Sequence, residues 1–262
     1  MRAWVENVGR VAVAGVAEMG LGAMLLAESL FWLAAGPSKK QPVRVTAVLE
    51  QAMDIGIRAL PITAVLAVAI GVMVSIQGIH TLKIFGAESQ VTLGVALSVT
   101  REFAPLITGI LVAGRSGSAL AARLATMKIN EEISALTVMG VSPVRYLVAP
   151  ALVAMLITLP LLTWFADCVG LVGAGLYISA DLGIQFSAYA DELRAVTAVD
   201  DVMHGIGKSV LFSILITIVG VVNGSIVTGG AAGVGRVTTR SVVHAIAAIV
   251  ITDMIFAFVV TR

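Results

Sequence analysis

Arg101 and Glu102 form an adjacent ion pair inside an otherwise uncharged stretch: Ser89–Thr100 and Phe103–Gly114 carry no charge, and Pro105 follows closely. A membrane-crossing helix needs about 20 mostly apolar residues, so the pair would sit near mid-membrane. A central charge costs roughly 3 kcal/mol on insertion scales, and such residues usually face a partner or a cavity. Lys208 and Asp253 are the other charges that interrupt apolar runs at comparable positions. At about 1.5 Å per residue, Lys208 falls ~9 Å and Asp253 ~12 Å below the outer ends of their runs, with Arg101 and Glu102 at ~15–17 Å. These depths predict one network, Arg101–Glu102–Lys208–Asp253, facing the interior of a helix bundle. Such a network locks helices together, because an unpaired charge there is costly, or it relays a conformational change. Lys208 alone has a third option, snorkelling outward. The role of Asp167, in another apolar run, stays open.

Other chemistry is absent from the sequence pattern. No His, Cys and Asp group has metal-ligand spacing, and no Ser-His-Asp arrangement can be argued across the apolar runs. His80 and His244 read as polar surface or packing residues, and the single Cys168 as a small buried hydrophobe. A phosphate-binding loop needs Gly-x4-Gly-Lys-Ser/Thr after a strand. The nearest approach, Gly230–Val237, lacks the lysine and the hydroxyl. The chain is expected to be non-catalytic, with no cofactor of its own.

The elements that must position these residues are membrane helices. The chain is 58% hydrophobic and 13% charged, with a mean hydropathy of +1.01, outside the usual soluble range. Its net charge of +1 gives no footprint for nucleic acid. Gaps between charges mark five spans: Ala59–Leu82, about Val91–Gly114, a run beginning near Tyr146 and continuing toward Ser179, about Val202–Val227, and Ser241–Thr261. With the N-terminus inside, the inner segments hold twelve lysines and arginines, against Lys83, Arg194 and Arg262 outside. That bias places the N-terminus in the cytoplasm and the C-terminus outside.

The expected fold is an all-α integral membrane protein, with interfacial amphipathic helices over residues 1–58 and a transmembrane domain over 59–262. Within the first part, Glu6, Arg10, Glu18 and Glu28 fall in an arc of about 120° at 100° per residue, forming one polar stripe. The stripe favours a helix lying in the inner interface over a sixth span for Val11–Ala35. Acids in its core argue against a signal peptide. Lys39, Lys40 and Arg44 follow, placed to reach lipid phosphates, and a second helix over about Val43–Leu60 leads into the first span. In the inner connection, Asn130, Ile133, Leu136 and Val138/Met139 predict a short amphipathic helix with Gly140 as its C-cap. Acids at one end and apolar knobs along it suit docking into a groove on a soluble partner.

Several motifs carry a family resemblance. They include Arg101-Glu102-x-x-Pro105, Ala113-Gly114-Arg115-Ser116-Gly117-Ser118-Ala119, and Glu131-x-Ile133-x-Ala135-Leu136-x-Val138-Met139-Gly140-Val141-x-Pro143. Gln77-Gly78, Pro160-Leu161-Leu162, Lys208-Ser209-Val210 and Thr238-Thr239-Arg240-x-Val242-Val243-His244 follow the same pattern. In order and spacing, roughly over residues 45–262, the chain resembles the MlaE/YrbE permease family, membrane subunits of ABC transporters that work with MCE-domain lipid-binding proteins.

The resemblance implies a phospholipid transporter in a bacterial inner membrane. It implies a homodimer bound to two cytoplasmic ATPase subunits that carry the ATP and Mg²⁺. A hexameric periplasmic MCE protein and a STAS-domain protein complete the implied assembly. It assigns about Thr126–Met139 as a coupling helix, with Glu131, Glu132, Ile133, Leu136 and Met139 meeting the ATPase. It also implies that Val74, Gln77, Thr81, Leu82 and Phe85 line an outward-open lipid cavity at the dimer centre. The charge network would then either hold helices together or respond to a phospholipid headgroup. The alternatives are a proton-coupled secondary transporter using Glu102, Asp253 or Asp167, a lipid-modifying enzyme, and a non-transporting anchor. Five spans without an inverted repeat do not make the usual secondary-transporter architecture, and an enzyme would need a reactive cluster that the sequence does not offer.

Overall fold

The computed structural model describes residues 2–37 and 41–260. Lys39, Lys40 and Arg262 lie outside the described residues, as do the side chains of Arg2 and Glu6. Among the described residues all regular structure is helical. The helices are α1 (Arg2–Ala35), α2 (Val45–Ile55), α3 (Leu60–Ile84), α4 (Val91–Ser98), α5 (Ala104–Val112), α6 (Ser118–Ile129), α7 (Glu132–Val138), α8 (Ala149–Leu182), α9 (Phe186–Val196), α10 (Val199–Ser225) and α11 (Gly230–Val260). Two π turns, Val99–Phe103 and Ala113–Gly117, join α4, α5 and α6.

Six stretches, rather than five, are long and apolar enough to cross a membrane: Val13–Ala35, Val45–Ile84, Glu88–Ile129, Val144–Leu182, Val199–Ser225 and Gly230–Val260. The helices overrun the apolar segments at both ends. Charge gaps mark the hydrocarbon, whereas a helix ends only where its backbone can find other partners. Within the apolar parts, hydroxyls turn back onto their own helix. Ser75 donates to Gly71 O at 2.8 Å, Thr100 to Ala96 O at 2.8 Å and Thr108 to Ala104 O at 2.7 Å, so none needs water.

The chain divides into two compact units. One comprises Ala52–Val112, Met155–Ser213 and Ile246–Arg262. Its core joins Ala67 and Ile79 of α3, Val91 and Val95 of α4, Ala166, Ala174 and Ile178 of α8, and Tyr189 of α9. Lipid tails are as apolar as these side chains, so close packing and polar contacts, more than hydrophobic burial, hold the helices together. Gly71 shows how close they come: a Cβ there would fall inside the Gly170 carbonyl. On α9, the buried Tyr189 hydroxyl donates to Leu171 O at 3.0 Å. Burial, reinforced by the nearby Glu192 carboxylate, pushes its phenol up to about 12.

The other unit comprises Met1–Gln51, Ala113–Ala154 and Ile214–Ala245. Leu124, Val144, Leu147, Val148 and Val221 form its core, with Leu25, Ile133 and Leu136 packed against them. Gly220 and Gly224 of α10 meet the Gly117 and Ala121 carbonyls, which identifies the helix that this small-residue pair approaches.

Two acids of the α1 stripe, Glu18 and Glu28, meet protein groups. Glu18 accepts two bonds from Arg240 Nη2, at 2.6 and 2.8 Å, and Glu28 accepts from Ser142 at 3.0 Å. The Arg145 guanidinium lies 5.4 Å from the Trp32 ring centre. The face left exposed is apolar, with Val13 at 71% and Met19 at 77%. The sequence reveals the stripe but not what it faces, and here Glu18 turns to an arginine and Glu28 to a hydroxyl of their own unit.

Candidate functional site

The site begins with a backbone irregularity. Pro105 has no N–H and cannot continue the helical ladder. The chain absorbs this with the π turn Val99–Phe103, in which Ala104 N–H bonds Val99 O instead of Thr100 O, the α-helical partner. Wide turns of this kind cluster at functional positions. The freed Thr100 carbonyl points at Gly205 of α10, where a Cβ would overlap it. That close approach brings one face of α10 against the turn, because Asp201 and Lys208 are seven residues, two helical turns, apart.

Lys208 is completely buried. Its Nζ donates to Glu102 Oε2 at 2.6 Å and lies 3.0 Å from Asp253 Oδ1 on α11, in ion-pair range but off hydrogen-bond geometry. Phe256 covers the amine, its ring centre 5.9 Å from Nζ, and His204 packs edge-on against that ring at 5.0 Å. Pairing on two sides plus an aromatic face suits an ammonium removed from water.

Arg101 departs from the expected four-membered network. Its Nη2 and Nε reach Asp201 Oδ1 at 2.5 and 2.7 Å, and Asp201 Oδ2 accepts the Ala198 N–H at 2.9 Å. Depth alone placed Arg101 with Glu102 and Lys208. Neighbouring residues point about 100° apart around a helix, so Arg101 and Glu102 take different partners on α10. Asp201 falls just before the span marked by the charge gaps, Val202–Val227, and so outside the network that depth predicts. The signal that could have found it is its seven-residue spacing from Lys208.

The residues implied for a lipid path separate into two faces. Val74 and Leu82 pack against the core cluster, whereas Gln77 and Thr81 of α3, and Phe85 just past its end, are exposed. The inner connection also differs from a single helix over 126–139. α6 ends at Ile129, Glu131 takes a left-handed conformation with φ of 58°, and α7 starts afresh at Glu132. Its end is a Schellman motif: Gly140, φ 76°, donates to Thr137 O and Val141 to Leu136 O. Glu131 and Glu132 are exposed, and Met139 is 67% and Val138 88% exposed. Ile133 and Leu136, expected as docking knobs, instead pack into the core beneath.

Asp167 is buried, and neither carboxylate oxygen has a hydrogen-bond partner. Among the described residues no group of three His, Cys, Asp or Glu side chains could hold a metal ion.

Known proteins are similar to this chain in sequence. The family model for Permease MlaE matches residues 48–259. A probable ABC transporter permease protein of Rickettsia typhi is 34% identical over 214 residues, 82% of this chain and 83% of the relative. The intermembrane phospholipid transport system permease protein MlaE of Haemophilus influenzae is 33% identical over 198 residues, covering 75% and 76%. An Arabidopsis thaliana chloroplastic protein, TRIGALACTOSYLDIACYLGLYCEROL 1, is 32% identical over 209 residues, 80% of this chain and 60% of the relative. By the extent of the match, and with its helical membrane architecture, this chain belongs to the MlaE permease family.

Proposed function

We propose that this chain is the non-catalytic permease subunit of an ATP-driven phospholipid transporter in a bacterial inner membrane. The observation that carries this reading is the similarity, over three quarters of both chains, to the Haemophilus influenzae phospholipid transport permease. The assembly contains a second copy of the chain, cytoplasmic ABC ATPase subunits that bind ATP and Mg²⁺, a periplasmic hexameric MCE protein and a STAS-domain protein. Lipids move between the inner membrane and the MCE protein, which maintains the asymmetry of the outer membrane. The arginine-bearing inner connections lie in the cytoplasm, following the positive-inside rule. α7 is the coupling helix, and its exposed Glu132 and Val138, with the flanking Glu131 and Met139, form the ATPase contact. Gln77, Thr81 and Phe85 face the lipid path, and the Arg101–Asp201 and Glu102–Lys208–Asp253 pairs meet the headgroup.

Co-purification from membranes with a co-expressed ABC ATPase, followed by lipid-stimulated ATP hydrolysis, tests the reading. Recovery of an ATPase complex whose activity rises with phospholipid is the expected result. A stable chain that recruits no ATPase, yet moves lipid in vesicles under a proton gradient, would replace it with proton coupling.

A further inference from the structure

Two arginines of the unit that contains α1 are positioned by neutral groups alone. Arg44, just before α2, lies over the Tyr146 ring at 5.6 Å from its centre, and its Nη1 donates to the Tyr146 hydroxyl at 3.2 Å. Arg145, in the π turn Val144–Val148 that leads into α8, lies over Trp32 of α1, and its Nη1 donates to Gln41 Oε1 at 2.9 Å. The contacts cross: Arg44 reaches Tyr146, while the neighbouring Arg145 reaches back to Gln41. Both guanidiniums are thereby drawn to one corner of the unit. In each, the face is taken by a ring and Nη1 by a neutral oxygen, which leaves the Nε–Nη2 edge over.

That edge is the fork that matches two oxygens of a phosphate. Among the described residues neither arginine has a carboxylate in ion-pair range. Glu28, the carboxylate of this network, accepts instead from Trp32 Nε1 at 3.2 Å and from Ser142 at 3.0 Å. Two cations against one carboxylate leave an excess positive charge. The excess favours a ligand of net negative charge over a zwitterion, whose ammonium would meet the same field. Apolar side chains lie exposed beside the corner. Val45 and Leu49, one turn apart on α2 and directly after Arg44, are 68% and 58% exposed. A phosphate site bordered by exposed apolar surface, in a membrane protein, suits a lipid headgroup with its acyl chains alongside.

We infer that Arg44 and Arg145 form a binding site for the phosphate of an acidic glycerophospholipid, a resident lipid that pins the join between α1 and α2 to the membrane surface. The site needs only the membrane location of the chain. It stands apart from the transport reading above and from the Lys208 cluster, and its lipid is not cargo.

The test uses the full-length chain in detergent, delipidated and then incubated with an equimolar mixture of dioleoyl phosphatidylglycerol and phosphatidylcholine. After repurification, bound lipid is quantified by mass spectrometry. Wild type should retain phosphatidylglycerol over phosphatidylcholine by about 25-fold, the product of about fivefold from each arginine near the membrane surface. Arg44→Gln and Arg145→Gln should each lower the ratio to about fivefold, and the two together should bring it close to one. Combined Arg44→Lys and Arg145→Lys keeps the charges but not the forks, and its ratio should fall between wild type and the double glutamine variant. Arg58→Gln is the control, because Asp54 already pairs with Arg58 at 2.7 Å, and it should leave the ratio unchanged. A circular-dichroism spectrum and monodisperse elution matching wild type establish that each variant is folded; if the double glutamine variant is not, the lysine pair decides. Equal retention of the two lipids by wild type overturns the site. So does a ratio unmoved by the double glutamine or lysine variant, or one lowered as much by Arg58→Gln. Inorganic phosphate bound by a chain that shows no lipid preference overturns the lipid as ligand.

Discussion

Gly205 and Thr100 meet backbone to backbone, with the α10 glycine lying against a carbonyl that the π turn has released from the helical ladder. Everything in the charge cluster depends on that approach. Gly205→Ala should push α10 away, loosen the Lys208–Glu102 and Arg101–Asp201 pairs together, and destabilise the protein by about 1–3 kcal/mol, the range for overpacking. Gly207→Ala is the control, since its Cβ would meet only the tip of Phe256 at 3.7 Å. Unfolding midpoints in detergent should fall for the first and hold for the second.

Removing the cation at the centre should be more damaging than removing either anion. Lys208→Met leaves Glu102 and Asp253 without their shared partner and should cost about 3–5 kcal/mol. Asp253→Asn should cost less, because Glu102 still accepts from the amine at 2.6 Å. Combining Lys208→Met with Glu102→Gln and Asp253→Asn should recover much of the loss. Denaturant unfolding of the four variants checks the order.

Docking and folding separate on α7. Val138, 88% exposed, contributes little to the core, whereas Leu136 packs into it. Val138→Asp should leave stability within about 0.5 kcal/mol and abolish ATPase recruitment. Leu136→Asp should lower the unfolding midpoint as well. Paired melting and pull-down measurements distinguish the two.

Tyr189 gives a pH signature. Its phenol, pushed up to about 12 by burial and by Glu192, stays neutral in the folded protein at a pH where the unfolded chain already ionises. The stabilisation is fully present below about 10 and declines as pH rises from there through about 12. Tyr189→Phe should flatten the decline, while costing about 1 kcal/mol at neutral pH for the lost bond to Leu171. Unfolding midpoints across that pH range provide the readout.

Asp167 is expected to oppose folding. Both oxygens are buried without hydrogen bonds, a cost of about 1–3 kcal/mol for an unsatisfied polar group. Asp167→Val should therefore raise the unfolding midpoint, and transport assays on the same variant would show whether the carboxyl has a working role.

The sequence revealed membrane helices readily, because twenty apolar residues between charges leave few other folds. Their ends were less visible: α11 starts at Gly230, eleven residues before the apolar run at Ser241. The meeting of Glu102, Lys208 and Asp253 followed from depth alone. Arg101 did not, because depth is one coordinate and partner choice depends on direction around the helix. Glu131 hid the break before α7, since nothing in a glutamate announces a left-handed backbone. The stripe on α1 was readable, but a pattern of acids cannot say whether water or arginine lies opposite.

The π turn at Val99–Phe103 also makes the span unequal in its tolerance of length change. A turn that already accommodates an extra residue is where deleting one would disturb the backbone ladder least. The same deletion would swing the Arg101–Glu102 side chains by about 100° relative to α10. Elsewhere in the span a lost residue would announce itself as a folding defect. Here the chain could remain folded and lose its charge pairing, so an alignment of relatives should show a fixed residue count between Val99 and Pro105 even where identities drift.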